Sequence, residues 1–407
     1  MDAPRPLAGV KVLDLSRVLA GPWAGQLLAD YGADVIKVER PGAGDDTRAW
    51  GPPWWGDPRE RMSAYYLCAN RGKRSVALDL ADAAGGAAVR TLACEADVLI
   101  ENYKVGQLAK YGLDAASLRA LNPGLVYCSI TGYGQTGPDA QRAGYDFAIQ
   151  AGGGLMSITG ERTGTPGSEP QKVGVAVVDV MTGVYATTAI LAALHARHAT
   201  GRGTHIDMSL LDVQVAMLAN QASNHLVGGV VPQRMGNAHP NIVPYQVFAT
   251  ADGHLVLAVG NDAQFAKFCA VAGHAGAAAD ARYASNAQRV AHRSELVPEI
   301  ARWMLAHGTE AWVARLDAAG VPCAPIRDIA QVFASPQVRA RGMHATLHAP
   351  DGRTLPTVPA PVRFDDRRAM ASGHPPALDE QGASIRAALG SRAGWPAPAD
   401  PASGDTP

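Results

Sequence analysis

Residues 10–40 read VKVLDLSRVLAGPWAGQLLADYGADVIKVER, and the fold class turns on them. VKVLDLS has the apolar texture of a buried strand. AGPWAGQLLADYG spaces its apolar residues as a helix does and stops at Gly32. ADVIKVER is a second strand, closing on Glu39 and Arg40. Strand, helix and strand in this order form a βαβ unit of the doubly wound kind. The pattern continues with RSVALDL as a strand, residues 81–95 as a helix, and ADVLIEN as a strand. GLVYCSITGYG is a further strand that runs into the glycine-rich turn GYGQTGP. Such alternation predicts an α/β fold whose mostly parallel sheet carries helices on both faces.

Farther along, THIDMSLLD reads as a strand leading into a helix. Near residue 225 the texture turns to Gly, Pro and Asn in LVGGVVPQRMGNAHPNIVPYQVF. VFATADGHLVLAVG then reads as a hairpin turning at Asp252 and Gly253, followed by helices. This divides the chain into a large Rossmann-like domain over residues 1–224 and a smaller α+β domain over 225–330. Residues 331–392 return to the large domain, and 393–407 form a disordered tail.

Composition narrows the function. The 407 residues are 47% hydrophobic and 18% charged, with a net charge of −1. That balance gives no electrostatic reason to bind nucleic acid or an anionic membrane surface. Five scattered cysteines without CxxC spacing point away from disulfides and zinc, and toward a reducing, cytoplasmic setting. The histidines form no metal-ligand spacing with carboxylates, so no metal site is expected.

The stretch VGVAVVDVMTG, residues 173–183, holds one carboxylate, Asp179, in an otherwise uncharged run. A helix follows at once, so Asp179 reads as an N-cap. VGVAVVD alternates like a strand, which would also deliver that carboxylate to the carboxyl edge of the sheet, where ligands bind. Asp179 is therefore also a candidate nucleophile, a reading compatible with the cap. Two basic features accompany it. Arg40 closes the second strand, and ANRGKRS, residues 69–75, carries Arg71, Lys73 and Arg74. Either is a solvated edge or a clamp for phosphates. The first turn, SRVLAGPWAG, lacks the GxGxxG of a dinucleotide site, and no GxxxxGK[ST] is present.

Taken in order, several stretches resemble the family III CoA-transferases of the CaiB/BaiF type, from Leu7 to about Leu389. They are RVLAGPWAGQLLADYGADVIKVERPGAGDDTR, NRGKRSVALDL, ADVLIENYKVG, YCSITGYGQTGP, GYDFAIQAGGGLMSITG, VGVAVVDVMTG and TGRGTHIDMSLLD. The resemblance implies an interlocked ring homodimer, acyl-CoA as substrate with no tightly bound cofactor, and Asp179 as the nucleophile. It places Val18, Leu19 and Ala20 along the adenine and pantetheine path. It places Arg40, Asn70, Arg71, Lys73 and Lys110 near the nucleotide end, and Asn102 and Tyr103 against CoA. Glycines over residues 152–154 are candidate oxyanion donors. Lys110 and Thr131 depart from the arginine and lysine of formyl-CoA-transferring members, and their long glycine-rich loop is replaced by RMGNAHPNIVPYQVF. That replacement is most similar to the branch moving CoA from succinyl-CoA to glutarate. A distal carboxylate of the acceptor then needs a cation or donors, for which Arg17, Arg234 and His239 are candidates. Racemases of the same fold place a histidine where this chain has Tyr145. A tyrosine is a poor second base at neutral pH, which favours the transferase. A non-catalytic CoA-binding protein is the third reading, and Asp179 separates it from the other two.

Overall fold

The computed structural model describes residues 5–58, 61–349, 351–391 and 394–397. The chain packs as two units. The larger takes the residues up to Leu155, Val173–Leu226, and those from Arg339 onward; the smaller takes Met156–Lys172 and Val227–Val338. Two boundaries differ from the sequence reading. Residues 156–172 pack with the smaller unit because Arg234 gathers them: its guanidinium donates to Ser168 O at 2.7 and 3.1 Å and to Ser157 O at 3.3 Å. The return begins at Arg339 rather than at 331, because short helices at Ile329–Ala334 and Pro336–Ala340 intervene. Most of the expected disordered tail lies outside the described residues. Its start is anchored, with Trp395 Nε1 donating to Asp34 Oδ2 at 2.7 Å.

The larger unit is built on six strands: β1 (Lys11–Asp14), β2 (Asp34–Glu39), β3 (Lys73–Ala77), β4 (Val98–Glu101), β5 (Val126–Thr131) and β6 (His205–Ser209). They lie in the order β3-β2-β1-β4-β5-β6, and every neighbouring pair is parallel. Alternate residues feed two cores. Val12, Val35, Val98 and Ile100 face one, and Leu13, Ile36 and Leu99 face the other. The order reverses between β1 and β4, and a crevice opens at that point beyond the carboxyl ends of the strands.

Helices cover both faces: α1 (Ala20–Asp30), α2 (Ala83–Glu95), α3 (Ala115–Leu121), α4 (Asp146–Gly152), α5 (Val177–Thr200) and α6 (Leu210–Met217). Residues 173–176 are not the strand that their alternation suggests; the helix begins at Val177. Backbone donors on either side of this stretch go to side chains, and Val177 N–H turns back to Val175 O at 2.8 Å. Val173 N–H meets Gln150 Oε1 at 2.9 Å, and Val178 N–H meets Asp146 Oδ1 at 2.8 Å. The sheet position beside β5 is taken by β6.

Helix α5 is long and apolar enough to cross a membrane by composition alone. In the fold its Val178, Ala186, Ile190 and Leu194 lie in the first core cluster. It meets α1 at Gly183, where a Cβ would come within 2.7 Å of Ala20 O and 2.9 Å of Trp23 Cβ. No residue with a side chain fits that crossing without separating the two helices.

In the smaller unit, strands at Tyr245–Ala249 and His254–Ala258 form the expected hairpin. A third, at Cys323–Pro325, pairs antiparallel with the second. Phe265, Phe268, Leu296, Ile300 and Trp312 make its core, and Trp312 Nε1 donates to Met304 O at 2.7 Å.

Arg71 ties the returning segment to the start of the chain. Its guanidinium takes both oxygens of Asp30, at 2.9 and 2.7 Å, and donates to Thr357 Oγ1 and Val358 O at 3.1 Å. Asp30 Oδ1 also accepts from Ala371 N–H at 2.9 Å. Arg71→Ala leaves a buried carboxylate unpaired, and about 3–5 kcal/mol of stability should be lost. Chemical denaturation followed by tryptophan fluorescence checks this. Unchanged stability would mean that the pair is not a structural clasp.

Candidate active site

The crevice at the sheet's reversal point is walled by loops from three strand ends and by two helix starts. The loop after β1 brings Arg17, Val18 and Leu19, and α1 begins with Ala20. The loop after β4 brings Asn102, Tyr103 and Lys104. Thr131 and Gly132 follow β5, Arg142 and Tyr145 precede α4, and Asp179 lies in the first turn of α5. A second recess, lined by Arg40, Asp45, Asp79 and Tyr111, shares Arg17, Tyr103 and Gln107 with the first. An extended ligand therefore has two adjoining depressions to lie in.

The loop after β1 is held in an unusual shape. Val18 has φ of +71°, a region that β-branched residues avoid. Asn102 holds Arg17 from both sides, accepting from its N–H at 2.9 Å and donating to its carbonyl at 2.7 Å. Asp45 Oδ1 accepts from Val18 N–H at 3.2 Å, and Lys37 Nζ donates to Ser16 O at 2.7 Å. Lys37 and Asp45 are themselves paired at 3.0 Å. Burial pushes the Asp45 carboxyl up, but the Lys37 charge and the Thr47 donors outweigh it and hold it at about 2.

Asp179 is the third residue of α5, not its N-cap; that position is Ala176, which offers no side-chain acceptor. The carboxylate is 8% exposed. Burial, and behind it the Asp146 carboxylate, push the Asp179 carboxyl up to about 7. A carboxyl that titrates near neutrality at the edge of a cleft is both a better nucleophile and a more basic group than an ordinary aspartate.

The structure sorts the remaining sequence candidates. Arg17, Val18, Leu19, Ala20, Asn102, Tyr103 and Tyr145 join Asp179 in the first recess, and Arg40 joins the second, exposed. Arg17 also pairs with Asp46 at 2.9 Å and stands 5.6 Å from the Tyr103 ring centre. Lys110 is exposed on a short helical turn, over the neighbouring Tyr111 ring at 4.6 Å, and lines neither recess.

Asn70, Arg71 and Lys73 do not reach the cleft surface. Lys73 Nζ is sealed under α1, bonded to Asp14 Oδ2 at 2.8 Å and to Pro22 O and Asn70 Oδ1 at 2.9 Å. Burial lowers this lysine to about 8. Asn70 Nδ2 donates to Tyr66 O at 2.9 Å, and Arg71 is held by Asp30. These three residues build the floor and the frame rather than offering donors to a phosphate.

Arg234 and His239 belong to the smaller unit. Arg234 serves the carbonyls of Ser157 and Ser168, while His239 Nδ1 accepts from Asn241 N–H at 3.0 Å. Of the glycines at 152–154, Gly153 packs against Gln214, whose Cγ would stand 2.4 Å from an added Cβ, and none lines the recess with Asp179. Lys104, Gln107, Arg142 and Asp146 were not foreseen. Arg142 lines the recess and Asp146 lies behind it, both just past the turn GYGQTGP, where nothing local marks them.

The model of "CoA-transferase family III" matches residues 7–382. A succinate–glutarate CoA-transferase of Agrobacterium fabrum is 52% identical over 386 residues, covering 94% of this chain and 96% of that protein. A human succinyl-CoA:glutarate CoA-transferase is 44% identical over 378 residues, covering 93% of this chain and 84% of that one. The crystal structure of a CaiB/BaiF family protein from Brucella suis superposes with a TM-score of 0.82 at 50% identity, over 95% of this chain and 100% of that one. The chain belongs to CoA-transferase family III and is an enzyme of the CoA-transferase class.

Proposed function

We propose that this enzyme moves CoA from succinyl-CoA to glutarate, with Asp179 as the nucleophile. The observation that carries this reading is a buried carboxylate in the wall of a cleft at the reversal point of the sheet, pushed up to about 7. The relatives named for succinate or succinyl-CoA and glutarate supply the substrates. The Asp179 carboxylate attacks the thioester carbonyl, the C–S bond breaks, and CoA thiolate leaves a succinyl–aspartyl anhydride. The thiolate attacks the aspartyl carbonyl, which releases succinate and forms an aspartyl-CoA thioester. Glutarate attacks that thioester through one carboxylate, forming a glutaryl–aspartyl anhydride and releasing the thiolate. The thiolate then takes the glutaryl group, and Asp179 is restored. No external base or electron carrier is consumed.

Loops carrying Val18, Leu19, Ala20, Asn102 and Tyr103 would cradle CoA, with Arg40 toward its phosphates. Arg17 and Arg142 share the recess with Asp179; each is held by a carboxylate, Asp46 at 2.9 Å and Asp139 at 3.1 Å, and would have to trade that partner for a substrate carboxylate. Arg234 and His239 stay candidates for the acceptor's distal carboxylate. Tyr145 stands at the recess mouth, 64% exposed, in place of a second base. The working form is an interlocked homodimer: Tyr145, Val175, Val184 and Tyr185 leave large apolar surface on the larger unit uncovered. No tightly bound cofactor, nucleic acid or membrane takes part. Five unpaired cysteines suit a reducing cytoplasm.

Three outcomes are expected. Asp179→Ala should lose at least about a thousandfold in kcat for transfer from succinyl-CoA to glutarate; transfer at the parent rate would overturn the nucleophile assignment. Sedimentation should give a dimer at micromolar concentration, and a monomer of full activity would sink the homodimer. The third outcome concerns stability. The folded pKa of Asp179 lies above its unfolded value, so between about pH 4 and 7 the folded state binds the extra proton and stability falls as pH rises. Asp179→Asn should therefore melt at higher temperature than the parent at pH 8, with the difference shrinking toward pH 4. A difference independent of pH would argue against a raised Asp179.

A further inference from the structure

Helix α5 starts without a cap of its own, since Ala176 has no side-chain acceptor. The missing acceptor comes from elsewhere in the chain. Asp146, the first residue of α4, turns Oδ1 toward the helix start and accepts from Val178 N–H at 2.8 Å and Asp179 N–H at 3.3 Å. Its other oxygen accepts from Gln150 Nε2 at 2.7 Å, and Gln150 Oε1 accepts from Val173 N–H at 2.9 Å. Two side chains of one short helix thus hold both the approach to α5 and its first turn. Gln150 is fully buried and Asp146 nearly so, so the clasp is part of the fold.

We propose that Asp146 is a positioning residue for the transfer reaction: it caps the helix that carries Asp179 and sets a like charge beside the nucleophile. The inference rests on Asp179 being that nucleophile, and it names what tunes it. A helix start ordinarily steadies an ionised carboxylate. Here the cap itself is anionic and takes up the N–H groups of that turn. It therefore offsets the stabilisation that the turn would otherwise give Asp179. The consequence is chemical. A carboxylate disfavoured in its free, charged form gains more from becoming a neutral anhydride or thioester. Each acylated state of Asp179 removes the repulsion that the resting state bears.

The surroundings leave Asp146 as the natural source of this effect. Helix α1 brings only Asp30, which is paired with Arg71, and α6 brings Asp212, which is exposed. Strands β5 and β6 bring Tyr127, Cys128, His205 and Asp207. Tyr65, on the short helix Ala64–Leu67, does feel Asp179: burial first, then that carboxylate, push its hydroxyl up to about 12. Arg17, Lys104, Arg142 and Tyr145 share the recess wall. Apart from burial, the influence on Asp179 is the Asp146 charge.

Two variants separate the cap from the charge. Asp146→Asn keeps an oxygen for the N–H groups of Val178 and Asp179 and removes the charge, at the cost of opposing an amide N–H₂ to Gln150 Nε2. Asp146→Ala removes both. The readout is single-turnover formation of the enzyme-bound CoA thioester from succinyl-CoA, followed by mass spectrometry of the peptide containing Asp179 across pH 5.5–8.5. The acid limb of the parent should lie near its raised carboxyl, and in Asp146→Asn it should move to lower pH by roughly half a unit to one unit. Its melting temperature should stay closer to the parent than that of Asp146→Ala. A limb that stays at the parental pH in Asp146→Asn would overturn the tuning role, even with the adduct present on Asp179. If the parent forms no adduct on Asp179, the nucleophile reading itself falls.

Discussion

Around the loop between β1 and α1, charged side chains are packed in pairs, two of them sealed from water and the third partly so. Lys73 meets Asp14, Lys37 meets Asp45, and Arg48 meets Glu39. Removing each ion from water costs several kcal/mol, and a pair offsets this only when its geometry is good and its remaining donors are used. Here they are used on backbone. Lys73 bonds Pro22 O, Lys37 bonds Ser16 O, and Asp45 takes the N–H of Val18. Ser16 and Val18 lie between β1 and α1, and Pro22 lies in the first turn of α1. The pairs therefore do more than neutralise one another: they fix the loop that forms one wall of the cleft. A valine at φ of +71° persists only where its surroundings over-determine it. That loop is a rigid fixture rather than a flap, and Asn102 closes it from the other side of the sheet's reversal point.

The same row explains where the sequence misleads. The basic residues of ANRGKRS look like a clamp for phosphates because sequence reports the cations and their spacing but not their partners. The acids that claim them lie far away in the chain. Asp30 and Asp14 come from the first βαβ unit, and Asp34, which takes Arg74 at 2.6 Å, opens β2. A strand entering an α/β sheet beside β2 exposes its charged residues to whatever that unit places there. Arg40 escapes because it stands one residue past its strand, where the chain has left the sheet.

Local pattern made most of the architecture legible. The βαβ start, the successive parallel strands, the hairpin at Asp252 and Gly253, and the strand leading into α6 all follow from apolar period and turn residues. These signals are contained within ten or fifteen residues. Residues 173–178 failed for the opposite reason. Their alternation is that of a strand, but a strand needs a neighbour for its backbone, and the place beside β5 belongs to β6. With the ladder closed to it, the stretch bonds to Gln150 and Asp146 instead, and the helix starts earlier than the sequence suggests. The position of Asp179 at the cleft was foreseen, whereas its environment was not, since no periodicity links it to a carboxylate 33 residues upstream.

Asp179 thus sits under two opposed influences. Its place in the first turn of α5 favours negative charge, while burial and Asp146 oppose it, and the opposition prevails. A purely structural acid gains nothing from such a place. A cap would face the turn rather than sit inside it, and a core position would be better filled by an apolar residue. The arrangement makes sense for a group whose charge is discharged by bond formation. In the proposed cycle the carboxylate is free only between turnovers, and in every covalent intermediate the carbonyl carbon of Asp179 carries a neutral acyl link. The fold then bears its electrostatic cost in the resting enzyme and is relieved of it during chemistry. This is the direction in which a buried like-charged pair can favour catalysis without touching the substrate.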